Sequence, residues 1–452
     1  MNNRKGIQTF TIIWFGQLVS LLGTGMTRFA LLIWAYQETG NATTVALLGF
    51  FSYVPFVAVS PVAGVLVDRW DRRKVMIGAD LGAGVMTIII LSLYAVDGLA
   101  IWHLYVAQAL AGLFEAFQYP AYAAATTMLV PKEHYGRVNG MRSLAASIAE
   151  VFAPILAGLL LVVIDIDGVM WIDVGTFLTA MMTLIFVTIP KPRVSAADET
   201  AEGHSFRHQL LFGIRYINQR PGLRGLLLIF MGINFFAAVT YYAILPAMIL
   251  ARSGGSEFAL GSVQAMLGAA GVVGGIAVSI WGGPKRRIHG ILAFAAVSFL
   301  AGDLLFAVGQ SLPVWLLAAG VAAFFVPFIV AANRSIWQSK VDPAVQGRVF
   351  SVQTALQQLT MPLGYLVAGP LADYVFEPAM QLGGGLENTF GWLLGRGDGA
   401  GMGFMFMCTA ILGCLMSLSG YLFPAVRNVE IDLPDHELEL SDFEELLELE
   451  TA

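Results

Sequence analysis

The sequence predicts an all-α integral membrane protein, with twelve transmembrane helices in two six-helix pseudo-symmetric halves. Composition is the first reason: of 452 residues, 57% are hydrophobic and 12% charged, and mean hydropathy is +0.73. A soluble domain carries about 25% charged residues, roughly twice this share. One soluble core of this size cannot hide so much apolar side chain, so lipid must solvate much of the surface. The second reason is twelve apolar runs that meet the ~20 residues needed to cross the hydrocarbon. The third is an internal repeat. A shift of 211 residues lays Gly136-Arg137-Val138 on Gly347-Arg348-Val349, Ala157-Gly158 on Ala368-Gly369, Gly64 on Gly275 and Lys74 on Lys285. One offset that serves several loops and helices argues for two similar halves, a common build among secondary transporters.

The runs fall at about 9–36, 44–67, 75–96, 101–128, 141–164 and 169–189, then 223–250, 258–281, 288–310, 314–337, 349–375 and 401–426. Turn or charge signals separate them: Thr39-Gly40-Asn41, Asp97-Gly98, Asp165-Ile166-Asp167-Gly168, Ser253-Gly254-Gly255 and Gly282-Gly283-Pro284. The start is short and basic (Arg4, Lys5) and enters a run that continues to Tyr36. A secretory h-region is only about 7–15 residues long, so a retained first helix is expected. The expected organisation is an N-terminal half at 1–189, a cytoplasmic linker at 190–222, a C-terminal half at 223–427 and an acidic tail at 428–452. The linker begins polar (Lys191, Arg193, Asp198, Glu199, Glu202). It then places Phe206, Leu210, Ile214 and Ile217 on one face, the pattern of an interfacial helix.

Charge orients the chain. With the N-terminus in the cytoplasm, all Lys and Arg but Arg28, Arg252 and Arg396 fall on or near the cytoplasmic side. Both termini are then cytoplasmic. The net charge of −6 comes from the tail, which holds ten Asp and Glu and no Lys or Arg; the rest of the chain is positive. Its cations are scattered over loops instead of forming a stripe, so no nucleic acid is expected as a partner. Ser441-Asp442-Phe443-Glu444 in the tail has a capping-box pattern. Cys408 and Cys414 share the last run and offer neither a disulfide framework nor metal spacing. His204 and His208 stand four apart without a third ligand, which reads as a solvated helix face; no metal is expected. Glycine-rich stretches such as 271–275 lack the Gly-Lys-Ser/Thr ending of a phosphate loop, and no nucleophile–base set stands out. Neither an enzyme nor a bound cofactor is expected.

The loop at 64–74 is the most specific motif. Gly64 and Asp68 share a helix face at the inner end of the second run, where glycine would let a neighbouring helix approach closely. Arg69, Arg72, Arg73 and Lys74 follow in the headgroup region. The chain here resembles the major facilitator superfamily, whose loop pattern is Gly-x-x-x-Asp-Arg-x-Gly-Arg-Arg. Gly64, Asp68, Arg69, Arg72 and Arg73 fit it, and Asp71 replaces the second glycine. The resemblance covers about residues 8–427. Ala153-Pro154-Ile155-Leu156-Ala157-Gly158 is similar to the superfamily's antiporter motif, without its glycine before proline. Trp14-Phe15-Gly16-Gln17, Gln118-Tyr119-Pro120-Ala121, Leu129-Val130-Pro131, Ile172 to Phe177, Phe376-Glu377-Pro378 and Gly395-Arg396-Gly397 resemble the macrolide-efflux-like branch. That branch often has an acid after the glycines of helix one; Gly23-Thr24-Gly25-Met26 lacks it.

Ionisable residues within the runs are costly in hydrocarbon and so are candidates for function. The resemblance implies that helices one, four and five line a central cavity. Glu150, Glu115 and Arg28 are the proton-coupling candidates, Glu150 as a proton-binding carboxylate and Arg28 with Glu115 as an expected ion pair; a structural salt bridge or helix-to-helix hydrogen bond is the alternative for each acid. Asp80 is expected to pair with the basic loop, Asp173 to cap helix six, and Asp303 to lie towards a helix end. Gln17, Tyr119, Asn234, Tyr241, Tyr242, Gln357 and Gln358 are candidate cavity-lining residues, with ordinary helix packing as the alternative.

The function expected is secondary active export of amphipathic small molecules or drugs by proton antiport with alternating access. One alternative is a dedicated exporter of a siderophore-like metabolite on the same fold. Another is a transport-inactive membrane binding or signalling protein. The expected partners are a small-molecule substrate, protons and the lipid bilayer, with a monomer in the plasma (inner) membrane.

Overall fold

A computed structural model describes residues 3–187 and 206–435. Helices dominate it and no strand occurs among the described residues. The first six spans are α1 (Asn3–Thr39), α2 (Ala42–Arg69), α3 (Arg72–Ala95), α4 (Ile101–Leu129), α5 (135–164) and α6 (166–186). The last two form one continuous helical stretch, broken at Asp165, whose φ of 55° turns the chain out of the α region. The next six are α7 (Pro221–Arg252), α8 (Glu257–Trp281), α9 (Arg287–Val308), α10 (Leu312–Lys340), α11 (343–376) and α12 (Ala400–Leu422). Nine described segments have the length and apolarity of a membrane span, one of them the joined α5–α6. The remaining two helices, α4 and α11, are more polar. They carry Gln108, Glu115 and Gln118, and Gln353, Gln357 and Gln358 respectively, and complete the twelve.

The 211-residue offset is visible in the helix boundaries. α4 begins at Ile101 and ends at Leu129, and α10 begins at Leu312 and ends at Lys340. The matched residues also have matched tasks. Val138 and Val349 are both buried near the termini. Gly158 on α5 lies against the Glu257 carbonyl at the start of α8, and Gly369 on α11 lies against the Thr43 backbone near the start of α2. A β-carbon at either position would meet backbone, so these glycines permit the two contacts that join the halves.

Those contacts sit at the end of the bundle away from the termini, the far end. Asp373 of α11 reinforces them across the halves. Its carboxylate accepts from the N–H of Ala42 at 3.0 Å and of Thr43 at 2.8 Å, capping α2, whose own Asn41 makes no side-chain cap. Gln37 of α1 donates to Glu257 of α8 at 3.3 Å. Tyr365 of α11 packs over Gly49 and lies 6.5 Å from the Tyr53 ring. At the opposite end the matched glycines Gly64, Gly275, Gly136 and Gly347 have no atom within 4 Å of a built β-carbon. The close approach expected at Gly64 is therefore absent: the glycine faces open space, while Ala63 and Val67 of the same helix end are buried within their own half. The bundle is shut at the far end and splayed at the end that carries the termini.

The loop motif works inside its own half. Asp71, where the family pattern has glycine, caps α3 by accepting from Arg73 N–H at 3.1 Å and Lys74 N–H at 3.4 Å. Arg73 donates to the Leu184 and Ile185 carbonyls at 2.8 and 2.5 Å, covering the open end of α6. Arg72 reaches Met128 of α4, and Trp70 stacks on Phe117. The side chains of Asp68 and Arg69, His204, the polar start of the linker and the tail's Ser441–Glu444 motif lie outside the described residues.

The linker helix (Phe206–Asn218) does form, and it packs on protein. Ile217 is buried, Gly213 sits on Val352 and the Arg348 carbonyl, and Arg348 lies 4.6 Å from the Phe212 ring. At the far end Arg252 is not a free loop cation. Its guanidinium donates to the carbonyls of Gly399, Ala307, Gly309 and Leu394 at 2.7–3.1 Å, tying α7 to α9 and to the loop before α12. In that loop Arg396 pairs with Glu387 at 2.7 Å.

Candidate functional site

Between the halves lies a cavity of about 1140 Å³. Helices of both halves wall it: α1, α2, α4 and α5 on one side, α7 to α11 on the other. Its surface is mostly apolar, with Phe230, Ile233, Leu267, Val272 and Phe299 among its lining. Arg28 and Glu150 are the charged lining residues among those described. This is the build of a site for drug-sized ligands, apolar with a few placed polar groups.

Of the residues singled out from sequence, Arg28, Glu150, Asn234, Tyr241, Tyr242 and Gln358 line the cavity. Glu115 is not itself part of the lining but pairs with Arg28 at 3.1 Å, as expected; the two side chains are 42% and 50% exposed. Glu150 is exposed on α5 and has no ion pair among the described residues. Asn234 turns its amide to the Gln357 carbonyl at 3.2 Å, which holds α7 to α11.

Three expected lining residues lie elsewhere. Gln17 is buried between helices, donating to Asp80 at 3.0 Å and accepting from Gln118 at 3.0 Å. Tyr119 is 67% exposed away from the cavity, beside the Arg142 guanidinium at 5.8 Å. The side chain of Gln357 is turned away from the cavity, and its amide nitrogen is buried without a protein partner. Of the pair, Gln358 alone reaches the cavity. Sequence reading missed Ser52, Tyr53, Gln108, Ser147, Gln264 and Tyr365, all of which line the cavity. A polar aromatic within an apolar run was the available signal for Tyr53 and Tyr365, as it was for Tyr241.

The three other intramembrane acids also differ from expectation. Asp80 does not reach the basic loop; Gln17 and Gln118 enclose it, the second at 2.5 Å. Asp173 is no cap. It is buried between helices and accepts from Thr24 of α1 at 3.2 Å and Thr87 of α3 at 3.1 Å. Asp303 is fully buried in the body of α9, in a π-helical turn spanning Ser298–Asp303. Its Oδ1 meets the Tyr241 hydroxyl and its Oδ2 lies 2.9 Å from the Thr409 hydroxyl of α12.

Comparisons with known proteins agree with this architecture. Residues 13–365 match the Major Facilitator Superfamily. Macrolide efflux protein A of Streptococcus pyogenes is 28% identical over 377 residues, which are 81% of this chain and 90% of that protein. Multidrug efflux pump Tap of Mycolicibacterium fortuitum is 23% identical over 379 residues, 82% and 90% of the two chains. Among solved structures, a bacterial homologue of the human lysosomal transporter Spinster, inward-facing and unoccupied, superposes with a TM-score of 0.68 at 14% identity, covering 95% of this chain and 99% of that one. An inward-facing bacterial homologue of ferroportin gives 0.62 at 14% identity, over 91% and 98%. These structural likenesses speak to the fold, while the sequence match reaches over most of the chain and its relatives are transporters and not enzymes. The chain thus belongs to the major facilitator superfamily, as a multi-pass membrane protein that transports small molecules.

Proposed function

We propose that this transporter expels amphipathic small molecules, drugs among them, from the cytoplasm in exchange for protons. The observation that carries the reading is the cavity itself, shared by both halves, largely apolar, and shut at the far end alone. With the termini cytoplasmic, as the Lys and Arg distribution favours, the cavity opens inward and can take up a lipophilic molecule from the cytoplasmic side. Rocking of residues 1–189 against 223–427, linked through 190–222, would then expose the same cavity outward.

Outward movement against a gradient needs an energy source, and the chain holds no phosphate-binding loop. The inward proton gradient of a plasma (inner) membrane is the simplest source. Glu150, a carboxylate on the wall of a mostly apolar cavity with no ion pair among the described residues, is the first candidate to carry that proton. The relatives named as macrolide and multidrug efflux proteins support the substrate class. A single chain encloses the whole cavity, which supports a monomer as the working unit.

The test is uphill export. Purified protein in liposomes, given an imposed pH gradient, should concentrate ethidium, a lipophilic phosphonium or a macrolide on the side that protons leave. If no probe moves uphill under any pH gradient, the reading is wrong.

A further inference from the structure

We propose that Asp303 is a proton-binding site in the C-terminal half and that the described conformation shows it loaded. The inference rests on the proton-antiport reading but concerns a carboxylate outside the cavity wall.

Hydrogen-bond counting supports it. Asp303 is 0% exposed. Its described polar partners are two neutral hydroxyls, Tyr241 on Oδ1 and Thr409 on Oδ2, and no ion pair reaches it among the described residues. A bare carboxylate there would be an uncompensated charge in the membrane interior. Thr409 makes the protonation explicit. Its hydroxyl lies 2.9 Å from Asp303 Oδ2 and 3.0 Å from the Phe406 carbonyl. A hydroxyl has one proton to give, and a carbonyl can only accept. Both contacts are hydrogen bonds if Thr409 donates to Phe406 and accepts from a protonated Asp303. With Asp303 ionised, the one hydroxyl proton has to be shared between two acceptors, which weakens both contacts.

The site also has a door. Tyr241 lines the cavity with one part of its ring and holds Asp303 with its hydroxyl. Phe306 and Phe406 pack edge-on against that ring, each at 6.1 Å. Tyr241 and Asp303 both lie in π-helical turns, Ala238–Ile244 and Ser298–Asp303. Such turns often mark functional positions and give the backbone an alternative register. When Tyr241 turns away, cavity water reaches Oδ1; the carboxyl group rotates to bring its proton to that side, the proton passes to the water, and the carboxylate left behind is reprotonated when the bundle opens the other way. Among the described residues Tyr241 is the titratable side chain bonded to Asp303, and Thr409 is its other side-chain partner.

The test is infrared spectroscopy of the full chain in lipid, with transport measured alongside. Wild type should show a carboxylic C=O band that titrates with pH and is absent from Asp303→Asn. Thr409→Val, which removes the hydroxyl acceptor, should shift that band. Asp303→Asn should bind ethidium as wild type does and lose about tenfold or more of substrate-driven proton flux. Should Asp303→Asn fail to fold, the Thr409→Val shift in an otherwise native protein still decides the assignment. A band that neither titrates nor responds to Thr409→Val overturns it, as does coupling to sodium instead of protons. Wild type that moves substrate without any proton flux would instead refute the antiport reading itself.

Discussion

At the scale of residues, the intramembrane acids sort by their surroundings. Asp80 and Asp173 each have two neutral side-chain partners that bind helices of one half together. Glu150 has the cavity in front of it and no ion pair among the described residues. Replacing it with Gln fixes the neutral form. Glu150→Gln should therefore retain ligand binding, measured by fluorescence of a bound dye, and lose pH-driven accumulation; unchanged accumulation would remove Glu150 from the coupling scheme. The Arg28–Glu115 pair is about half exposed, so its contribution to stability is about 1 kcal/mol or less. Glu115→Gln should accordingly leave the thermal midpoint within a few degrees of wild type. A large fall in that midpoint would show that the pair is a structural clasp.

Residue identity alone did not reveal which way a side chain faces. Tyr241, Tyr242, Asn234 and Gln358 were legible as cavity residues because a polar group in an apolar run must find water or a partner. The same logic picked Gln17 and Gln357, which found partners or burial between helices instead. Asp80 is a case where tertiary neighbours decide. It sits within two turns of a basic loop, yet Gln118, 38 residues away, takes it. Arg73 is spent on the end of α6, and no sequence spacing announces that.

At the scale of elements, the far-end seal depends on two pairs of helices, α5 with α8 and α2 with α11. The repeat in the sequence was readable as symmetry, and its physical reason is this seal: Gly158 and Gly369 each let a helix of the other half come to backbone distance. Gly369→Val would drive a branched side chain into Thr43 of α2. It should weaken closure, so a cysteine placed at Asn41 should react faster with a membrane-impermeant thiol reagent added from the far side. Asp373→Asn removes the charge from the cap of α2, worth about 1 kcal/mol for a helix N-cap. The same cysteine should gain reactivity in that variant, by a smaller factor. Reactivity equal to wild type in both would mean that the seal is made elsewhere. The Gly64 loop shows the opposite limit of sequence reading. Its glycine is a matched repeat position, yet it meets no neighbouring helix in this conformation.

For the whole molecule, the twelve spans and their grouping in halves were legible from composition, run length and the 211-residue offset, and the transporter class from the 64–73 loop motif and the family it resembles. The cavity was not, because it is assembled from nine helices that no local pattern links. Its closure at one end makes the central claim concrete: one cavity, opened alternately, moves small molecules outward against protons. The most direct test uses the contact between Gln37 and Glu257, which crosses the halves at 3.3 Å at the far end. Gln37→Cys and Glu257→Cys, introduced together in a chain without Cys408 and Cys414, can be joined by oxidation. Substrate-driven pH change is then recorded in proteoliposomes before oxidation, after it, and after reduction. The account predicts proton flux that stops when the far end is locked and returns when the link is reduced. Proton-coupled substrate exchange that continues at full rate through the locked protein would contradict it.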